Sequence, residues 1–319
     1  MSYTIIRPKD RQEWLKDRQH GIGSSEVATI LGLNPFETPL QLWRRKKGID
    51  PPKAENFAMK AGHYLEDAVS RFYADETGKD IIKASAGDWL IVNNDKQFLR
   101  VSPDRTYWIP GRPKSDRNKG IVECKTTQME VDRDNPPQHW FCQLQYQLGV
   151  AELEQGALAW LTMGRDFGYR DFTFDKEFYQ WMVEEVEKFW KDNIIGGVEP
   201  DPVNVDDVLL RNPRHQPGKY VEADAEIIEA CRQLKELKGE AKDIEQQMKE
   251  LESRIKMAFG DAEALTAPGG SPAKPVIIAT WKAAKDSQKF DEKSFAASEP
   301  NMYQSYLKTV PGSRRFLLK

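Results

Sequence analysis

The chain has 319 residues, of which 39% are hydrophobic and 30% charged, enough for one large domain with an appendage. Its formal net charge of −3 excludes an overall basic field, so phosphate binding must come from local patches. The cysteines Cys124, Cys142 and Cys231 lack paired or metal-ligand spacing, which favours a reducing compartment. With no apolar run near ~18 residues and no signal-peptide core, we expect a soluble, cytoplasmic protein.

The N-terminal region is predicted to begin with a short helix over residues 10–19, followed by the glycine-rich turn Gly21-Ile22-Gly23. Ser24-Ser25-Glu26 then begins an apolar helix that ends at Gly32. Free backbone N–H groups at such a helix start form a natural anion site, which Arg18 could also face. An ordinary serine cap explains the same residues, so both interpretations stay open.

A longer helix is predicted over residues 57–77, where apolar side chains recur at helical spacing. Glu66 lies at the edge of this apolar stripe. A carboxylate that faces the core is costly unless it is paired, hydrogen-bonded or bound to a metal. Glu66 is therefore a candidate acid of a functional site.

The next part of the chain is predicted to form a sheet. Residues 81–82, 89–92 and 98–101 are rich in β-formers and are predicted as its successive strands. The last of them leads into Ser102-Pro103-Asp104, and a polar loop then joins it to the strand-like segment that ends in Glu123-Cys124-Lys125.

Strand alternation puts Glu123 and Lys125 on one face of that segment. With Asp104 beside this face, two carboxylates and an ammonium share a pocket, and the two acids need a cation to offset their repulsion. Oxygen ligands alone favour a hard divalent ion such as Mg²⁺. A surface hairpin with a solvated Glu-x-Lys pair is the alternative.

A helix, a strand pair and a second helix are predicted to follow, over residues 137–149, 156–163, 169–174 and 178–190. In the first of these helices Gln143 and Gln147 share a stripe, whereas Gln145 points elsewhere. This order of elements favours an α/β fold with a sheet flanked by helices.

The C-terminal third differs in character. Residues 198–221, rich in Pro, Asp and Asn, are predicted as a linker, and apolar residues at alternating spacings of three and four predict a coiled-coil helix over 222–260. Residues 261–319 are predicted as a small tail with a strand at 276–281, two short helices and a basic terminal strand at 313–319. That last strand could bind a partner or DNA, or only pair with the strand at 276–281.

Six sequence elements occur in a characteristic order. They are Ile22-Gly23-Ser24-Ser25-Glu26-Val27, Leu42-Trp43, Met59-Lys60-Ala61-Gly62, Ser102-Pro103-Asp104, Glu123-Cys124-Lys125-Thr126-Thr127 and Gln143-Leu144-Gln145. Together they resemble the YqaJ-type viral recombinases, which are similar to bacteriophage lambda exonuclease and form part of the PD-(D/E)XK nuclease superfamily. The resemblance covers about residues 10–190. Glu26 stands where aspartate is usual.

The resemblance implies a restriction-endonuclease-like fold, with a central mixed sheet and a nuclease domain over residues 1–197. It implies a Mg²⁺-dependent exonuclease that resects the 5′-ended strand of linear duplex DNA by two-metal hydrolysis, with Mn²⁺ able to substitute. The 3′ overhangs would pass to a single-strand annealing protein during phage-type recombination. A ring-shaped homotrimer and a phage or prophage origin in a bacterial host are implied as well.

The resemblance also assigns a metal site by motif position. Asp104 and Glu123 would bind the metal ions, assisted by Glu66 and by the backbone carbonyl of Cys124. An iron–sulfur cluster, which related nucleases use, would need four cysteines, and the chain has three.

The remaining assignments concern water and DNA. Lys125 would orient and activate the attacking water, and Gln143 would position that water or Lys125. Arg18 and Ser25 would hold the terminal 5′ phosphate. Two alternatives stay open: a structure- or sequence-specific endonuclease on the same fold, and a non-catalytic DNA-binding recombination scaffold.

Overall fold

The computed structural model describes residues 2–51, 56–82, 90–162, 165–271, 274–310 and 312–319. Trp89 and Met163, at the ends of two predicted strands, lie outside these residues. Contacts divide the chain into two compact units, Met1–Arg211 and Asn212–Lys319. Within the described residues no helix is both long enough and apolar enough to span a membrane.

The first unit contains seven α-helices among its described residues. They are α1 (Arg11–Gln19), α2 (Ser24–Ile30), α3 (Pro39–Lys46), α4 (Phe57–Thr77), α5 (Gln138–Ala151), α6 (Lys176–Lys188), which continues as a π-helical segment over Phe189–Ile195, and α7 (Val205–Arg211). Polar side chains fix several of the starts: Asp10, Thr38, Asn56 and Asp175 each accept a hydrogen bond from a first-turn backbone N–H.

Nine strands form two sheets among the described residues of this unit. They are β1 (Tyr3–Ile6), β2 (Ile22–Gly23), β3 (Ile81–Ile82), β4 (Leu90–Asn93), β5 (Leu99–Val101), β6 (Arg105–Trp108), β7 (Lys119–Thr127), β8 (Gln155–Thr162) and β9 (Asp166–Thr173). The central sheet has the order β3-β6-β7-β8-β9, with β7 and β8 parallel and the other pairs antiparallel. The second sheet has the order β1-β4-β5-β2. The predicted α/β class, with a mixed sheet flanked by helices, is confirmed.

The prediction of one sheet for residues 81–82, 89–92 and 98–101 was wrong. Strand β3 belongs to the central sheet, whereas β4 and β5 pair with each other in the second sheet. Strand β6, which is the antiparallel partner of β7, was not predicted. Local composition identifies a short strand but not its partner, because pairing is decided by packing across the sheet.

The two faces of β7 pack against different helices. Ile121 belongs to a large cluster with Leu144 and Leu148 of α5, whereas Val122 and Cys124 belong to a smaller cluster with Val69 of α4. Side-chain alternation therefore directs Glu123 towards α5. This placement sets the position of the site described below.

Part of the segment predicted as a linker is helical, since residues 205–211 form α7. Asp207, with no solvent exposure, accepts hydrogen bonds from the Thr38 hydroxyl at 2.8 Å and from the Val203 N–H at 3.1 Å. These contacts hold α7 within the first unit, which ends at Arg211.

The second unit begins with the long helix α8 (Ala225–Met257), as the apolar spacing predicts. A hairpin of β10 (Ala264–Ser271) and β11 (Lys274–Thr280) follows, and then α9 (Glu292–Ser298) and α10 (Pro300–Tyr306). The predicted terminal strand at 313–319 was wrong: the described residues 312–319 form no strand. The local hairpin supplies β11 with β10 as its partner.

Candidate active site

Glu123 lies in the middle of β7 with only 2% of its surface exposed. Its Oε1 accepts hydrogen bonds from the Lys125 ammonium at 2.7 Å and from the Gln143 amide, and its Oε2 accepts one from the Gln147 amide at 2.8 Å. Helix α5 provides both amides from one face, because residues four apart are neighbours on a helix. Both oxygens of this buried carboxylate are thus held by donors.

Lys125 completes the polar cluster on this face of the sheet. Its Nζ also donates to the Gln143 Oε1 at 2.7 Å, so one amide group holds both Lys125 and Glu123. Burial opposes the charge on Lys125, but the carboxylates of Glu123 and Asp104 outweigh it and raise the pKa of the amine. Lys125 is therefore a fixed positive charge at neutral pH.

Asp104 comes directly before β6, whose first residue Arg105 pairs with Val122 of β7. This register brings Asp104 to the backbone of β7, where its Oδ2 accepts a hydrogen bond from the Cys124 N–H at 2.8 Å. Burial, together with the neighbouring carboxylates of Glu123 and Glu66, raises the pKa of Asp104 well above its usual range. Burial and the acidic neighbours thus both disfavour a negative charge on Asp104.

Glu66 approaches the cluster from α4. Its Oε1 lies 3.0 Å from the His63 Nδ1, and its Oε2 lies 3.8 Å from a guanidinium nitrogen of Arg105. The negative charge of Glu66 contributes to the raised pKa of Asp104. The Glu66 oxygens themselves contact His63 and Arg105. His63 was left out of the predicted site, although its spacing of three residues from Glu66 on a helix made the contact predictable.

The donor chemistry of the site can be compared with the needs of a divalent cation. Within the described residues, no three His, Cys, Asp or Glu side chains form a ready metal-ligand group. Asp104 and Glu123 nevertheless offer carboxylate oxygens at one place, and hard ions such as Mg²⁺ prefer oxygen ligands. A cation would also favour the charged form of Asp104, which burial and the neighbouring carboxylates disfavour. The residues fit such an ion by their chemistry.

Arg18 and Ser25 contact each other and line a cleft of the first unit. A guanidinium nitrogen of Arg18 donates to the Ser25 hydroxyl at 3.0 Å, and Ser25 is exposed. Both residues line a cleft of about 670 Å³ that is also lined by Glu66 and Lys125. The structure therefore brings the predicted phosphate ligands to one opening with Glu66 and Lys125, whereas Asp104, Glu123 and Gln143 are not among the described residues that line it.

One of the N–H groups expected to be free at the start of α2 has a side-chain partner. The Gly23 N–H donates to the Oε2 of Glu26 at 2.8 Å, and Glu26 is only 5% exposed. Lys46 and Arg45 contact the same carboxylate at 2.8 Å and 3.1 Å. An anion here would be held by the side chains of Arg18 and Ser25 and not by the Gly23 N–H.

This ion cluster makes stability depend on pH. Burial opposes ionisation of Glu26, but Lys46, Arg18 and Arg45 outweigh it and lower its pKa to about 2. We expect Glu26→Gln to lower the free energy of unfolding at pH 7 by roughly 3 kcal/mol. A depressed acid pKa stabilises the fold above the unfolded-state value near 4.5, and this contribution is lost as the pH falls towards 2.

Urea unfolding of both proteins between pH 7 and pH 3 measures this difference. It should shrink steadily below about pH 4.5. Glu37→Gln is the matched control, since Glu37 also pairs with Arg45 but is more exposed. A difference between wild type and Glu26→Gln that stays constant down to pH 3 would contradict the electrostatic explanation.

Gln147 also contacts the site, although it was not predicted as a functional residue. Its amide nitrogen donates hydrogen bonds to Glu123 Oε2 at 2.8 Å and to the Ser24 hydroxyl at 3.2 Å. These bonds connect β7 with the start of α2. The four-residue spacing from Gln143 was the available signal. Gln145 points away, as predicted: its amide donates to the Thr173 carbonyl at 2.9 Å and accepts from the Asp175 N–H at 2.8 Å.

The chain is similar to a known family over its N-terminal part. Residues 13–154 match the family described as the YqaJ-like viral recombinase domain, and this confirms the resemblance to YqaJ-type recombinases. Among individual proteins, the uncharacterized protein YqaJ of Bacillus subtilis (strain 168) is 29% identical over 322 residues, which cover 97% of this chain and 94% of that protein. The uncharacterized protein R354 of Acanthamoeba polyphaga mimivirus is 23% identical over 160 residues, 45% of this chain and 27% of that protein.

Two solved structures are also similar. An alkaline exonuclease (LHK-Exo) from Laribacter hongkongensis has a TM-score of 0.45 at 16% identity, covering 58% of this chain and 93% of that one. A phage related exonuclease from Haemophilus somnus 129PT has a TM-score of 0.40 at 12% identity, covering 56% of this chain and 96% of that one.

Proposed function

We propose that this protein is a divalent-metal-dependent exonuclease that resects the 5′-ended strand of linear duplex DNA. One observation carries the proposal. Lys125 and Glu66 of the acidic cluster line the same cleft as Arg18 and Ser25, so a strand end held by the latter pair would present its phosphodiester to the former. The match to a viral recombinase domain supports DNA as the substrate.

Asp104 and Glu123 would hold the metal ions, with Glu66 and the Cys124 carbonyl as further ligands. Two bound Mg²⁺ ions, or Mn²⁺ in their place, would lower the pKa of the attacking water and stabilise the leaving oxygen. The chain's own contribution is to fix both carboxylates in place: Glu123 through two amides of α5, and Asp104 through the Cys124 N–H.

Lys125 would act as a positioned cation. A charged amine cannot accept a proton, so its role would be to orient the attacking water and to stabilise negative charge that develops on the phosphate. Gln143 would hold the Nζ of Lys125 at a fixed distance from Glu123. The proton of the water would leave to solvent.

The proposed phosphate site makes a direct prediction. We expect Arg18→Ala to lower the initial rate on 5′-phosphorylated linear duplex on the order of tenfold to a hundredfold, because a charge-assisted hydrogen bond to phosphate is lost. The rate on the same duplex with a 5′-hydroxyl end should change far less. Initial rates on the two substrates give the comparison.

Arg11→Ala is the matched control for this experiment. Arg11 lies over the ring of Trp14, as Arg18 does, but it is not among the described residues that line the cleft. Equal losses on both DNA ends in the Arg18 variant would contradict a phosphate-binding role.

The proposal extends to assembly and context. We propose a ring-shaped homotrimer of the first unit around DNA, acting in the cytoplasm of a bacterial host, with a single-strand annealing protein that receives the 3′ overhang. The resemblance to YqaJ-type recombinases supports these statements. Size-exclusion chromatography with light scattering of the full chain measures the number of copies, and a multiple of three is expected.

Polarity gives the test of the function itself. Linear duplexes labelled at one 5′ end or one 3′ end are incubated with Mg²⁺ and sampled over time. We expect early release of the 5′ label as mononucleotide, while the 3′-labelled strand stays long. Early release of the 3′ label, or internal cuts at fixed positions, would overturn the proposal in favour of another exonuclease polarity or an endonuclease.

A further inference from the structure

The apolar stripe of α8 is exposed along its length. Six of its large side chains are between 47% and 60% exposed: Ile227, Leu237, Ile244, Met248, Leu251 and Ile255. The helix has 33 residues. An exposed apolar stripe of this length marks a surface that binds a partner. Ion pairs such as those of Arg232 with Glu229 and Glu236 lie beside the stripe on the outer surface.

The stripe follows a strict seven-residue repeat. Its first positions are Ile227, Leu234, Ala241, Met248 and Ile255, and its fourth positions are Ala230, Leu237, Ile244, Leu251 and Ala258. Side chains that repeat in this way form one continuous seam along the helix. When two such helices pair, the seam side chains of both pack against each other in successive layers. Gly239 lies away from this seam.

We propose that α8 pairs in antiparallel orientation with α8 of a second copy of this chain. The fitting register places Ala241 against Ile244 of the second copy, and Leu237 against Met248. The other layers then pair small with large, or leucine with leucine: Ile227 with Ala258, Ala230 with Ile255, and Leu234 with Leu251. Every layer of this register contains at least one large side chain.

A parallel, in-register pair fills its seam less well. There Ala230 would face Ala230, and Ala241 would face Ala241, which leaves two voids in the seam. Voids of this size weaken packing and are avoided in well-specified helix pairs. Size complementarity therefore favours the antiparallel orientation.

Charges beside the seam favour the same orientation. In the antiparallel register Lys238 faces Glu245 of the second copy, and Gln233 faces Arg254. In a parallel pair Glu240 would face Glu245 of the other copy, once on each side, and like charges at these positions disfavour pairing. This inference does not depend on the proposed nuclease function.

Cross-linking of the full chain tests both orientation and register. Cys124 and Cys142 are buried, and Cys231 is exposed. The antiparallel register puts Cys231 beside Glu252 of the second copy, but about 31 Å along the axis from the other Cys231. We expect Glu252→Cys to be joined into a dimer by a short bismaleimide, at a yield that resists dilution.

Two single-thiol controls accompany this variant. The wild-type chain and the Cys231→Ser/Glu252→Cys chain each carry one exposed thiol beside the seam, and neither should be joined. A linked wild-type dimer would contradict the register. An unlinked Glu252→Cys protein would overturn the pairing itself and favour another cover for the stripe, such as the terminal segment whose Phe316 ring lies 5.6 Å from Lys238.

Charge reversal gives an independent readout by analytical ultracentrifugation. Lys238→Glu should weaken the α8-mediated association about tenfold, because two attractive pairs become repulsive. The double variant Lys238→Glu/Glu245→Lys should restore it, since the swapped charges again face each other. Failure of the double variant to recover would contradict the antiparallel register.

Discussion

Lys125→Ala is expected to digest linear duplex DNA with Mg²⁺ roughly a thousandfold more slowly than the wild type. The variant loses the one ammonium that contacts both Glu123 and Gln143. Without this ammonium, the proposed orientation of the attacking water and the proposed stabilisation of charge on the phosphate would be lost. Initial rates with end-labelled duplex measure the effect.

Lys119→Ala is the matched control, because it makes the same change at the other end of the same strand. Lys119 pairs with Asp116 in the loop before β7 and has no role in the proposed site. Both variants should keep the circular dichroism spectrum of the wild type. Undiminished digestion by the Lys125 variant would remove that residue from the mechanism.

Asp104→Asn is expected to abolish Mg²⁺-dependent hydrolysis and, without metal, to raise the Tm. Burial and the carboxylates of Glu123 and Glu66 oppose the charge on Asp104, so a neutral amide relieves repulsion. The amide oxygen can still accept the Cys124 N–H. Asp104 would thus lower the stability of the metal-free protein and yet be necessary for the reaction.

Thermal unfolding with and without Mg²⁺ provides a readout that is independent of activity. A ligand that binds only the folded state raises the Tm, so Mg²⁺ should stabilise the wild type and leave Asp104→Asn unchanged. Asp116→Asn is the control, since Asp116 is exposed and pairs with Lys119. Equal Mg²⁺ stabilisation of wild type and the Asp104 variant would contradict a metal site there.

The sequence predicted some elements well because their limits are set by local chemistry. Helix α4 begins and ends where predicted, since the Asn56 side chain caps its first turn and Gly78 takes a left-handed conformation at its end. The repeat in α8 is equally local. Sheet membership was not predictable in this way, because β3, β4, β5 and β6 have four residues or fewer.

The site was predictable where a strand or helix period relates its residues. Alternation in β7 put Glu123 and Lys125 on one face, and helical spacing put Gln143 and Gln147 on one stripe. The ion pairs of Glu26 were not predictable. They depend on Lys46 and Arg45 of α3, which only the tertiary fold brings to Glu26, whereas the contact of Glu26 with the Gly23 N–H is local to the start of α2.

One comparison tests the central claim, that this cleft hydrolyses DNA from an end. Equal amounts of a plasmid as covalently closed circle and as linear duplex with 5′ phosphates are incubated with the protein in Mg²⁺ and in EDTA. We predict loss of the linear DNA in Mg²⁺ alone, and survival of the closed circle throughout. Digestion or nicking of the closed circle, or no hydrolysis of either DNA in Mg²⁺, would contradict the claim.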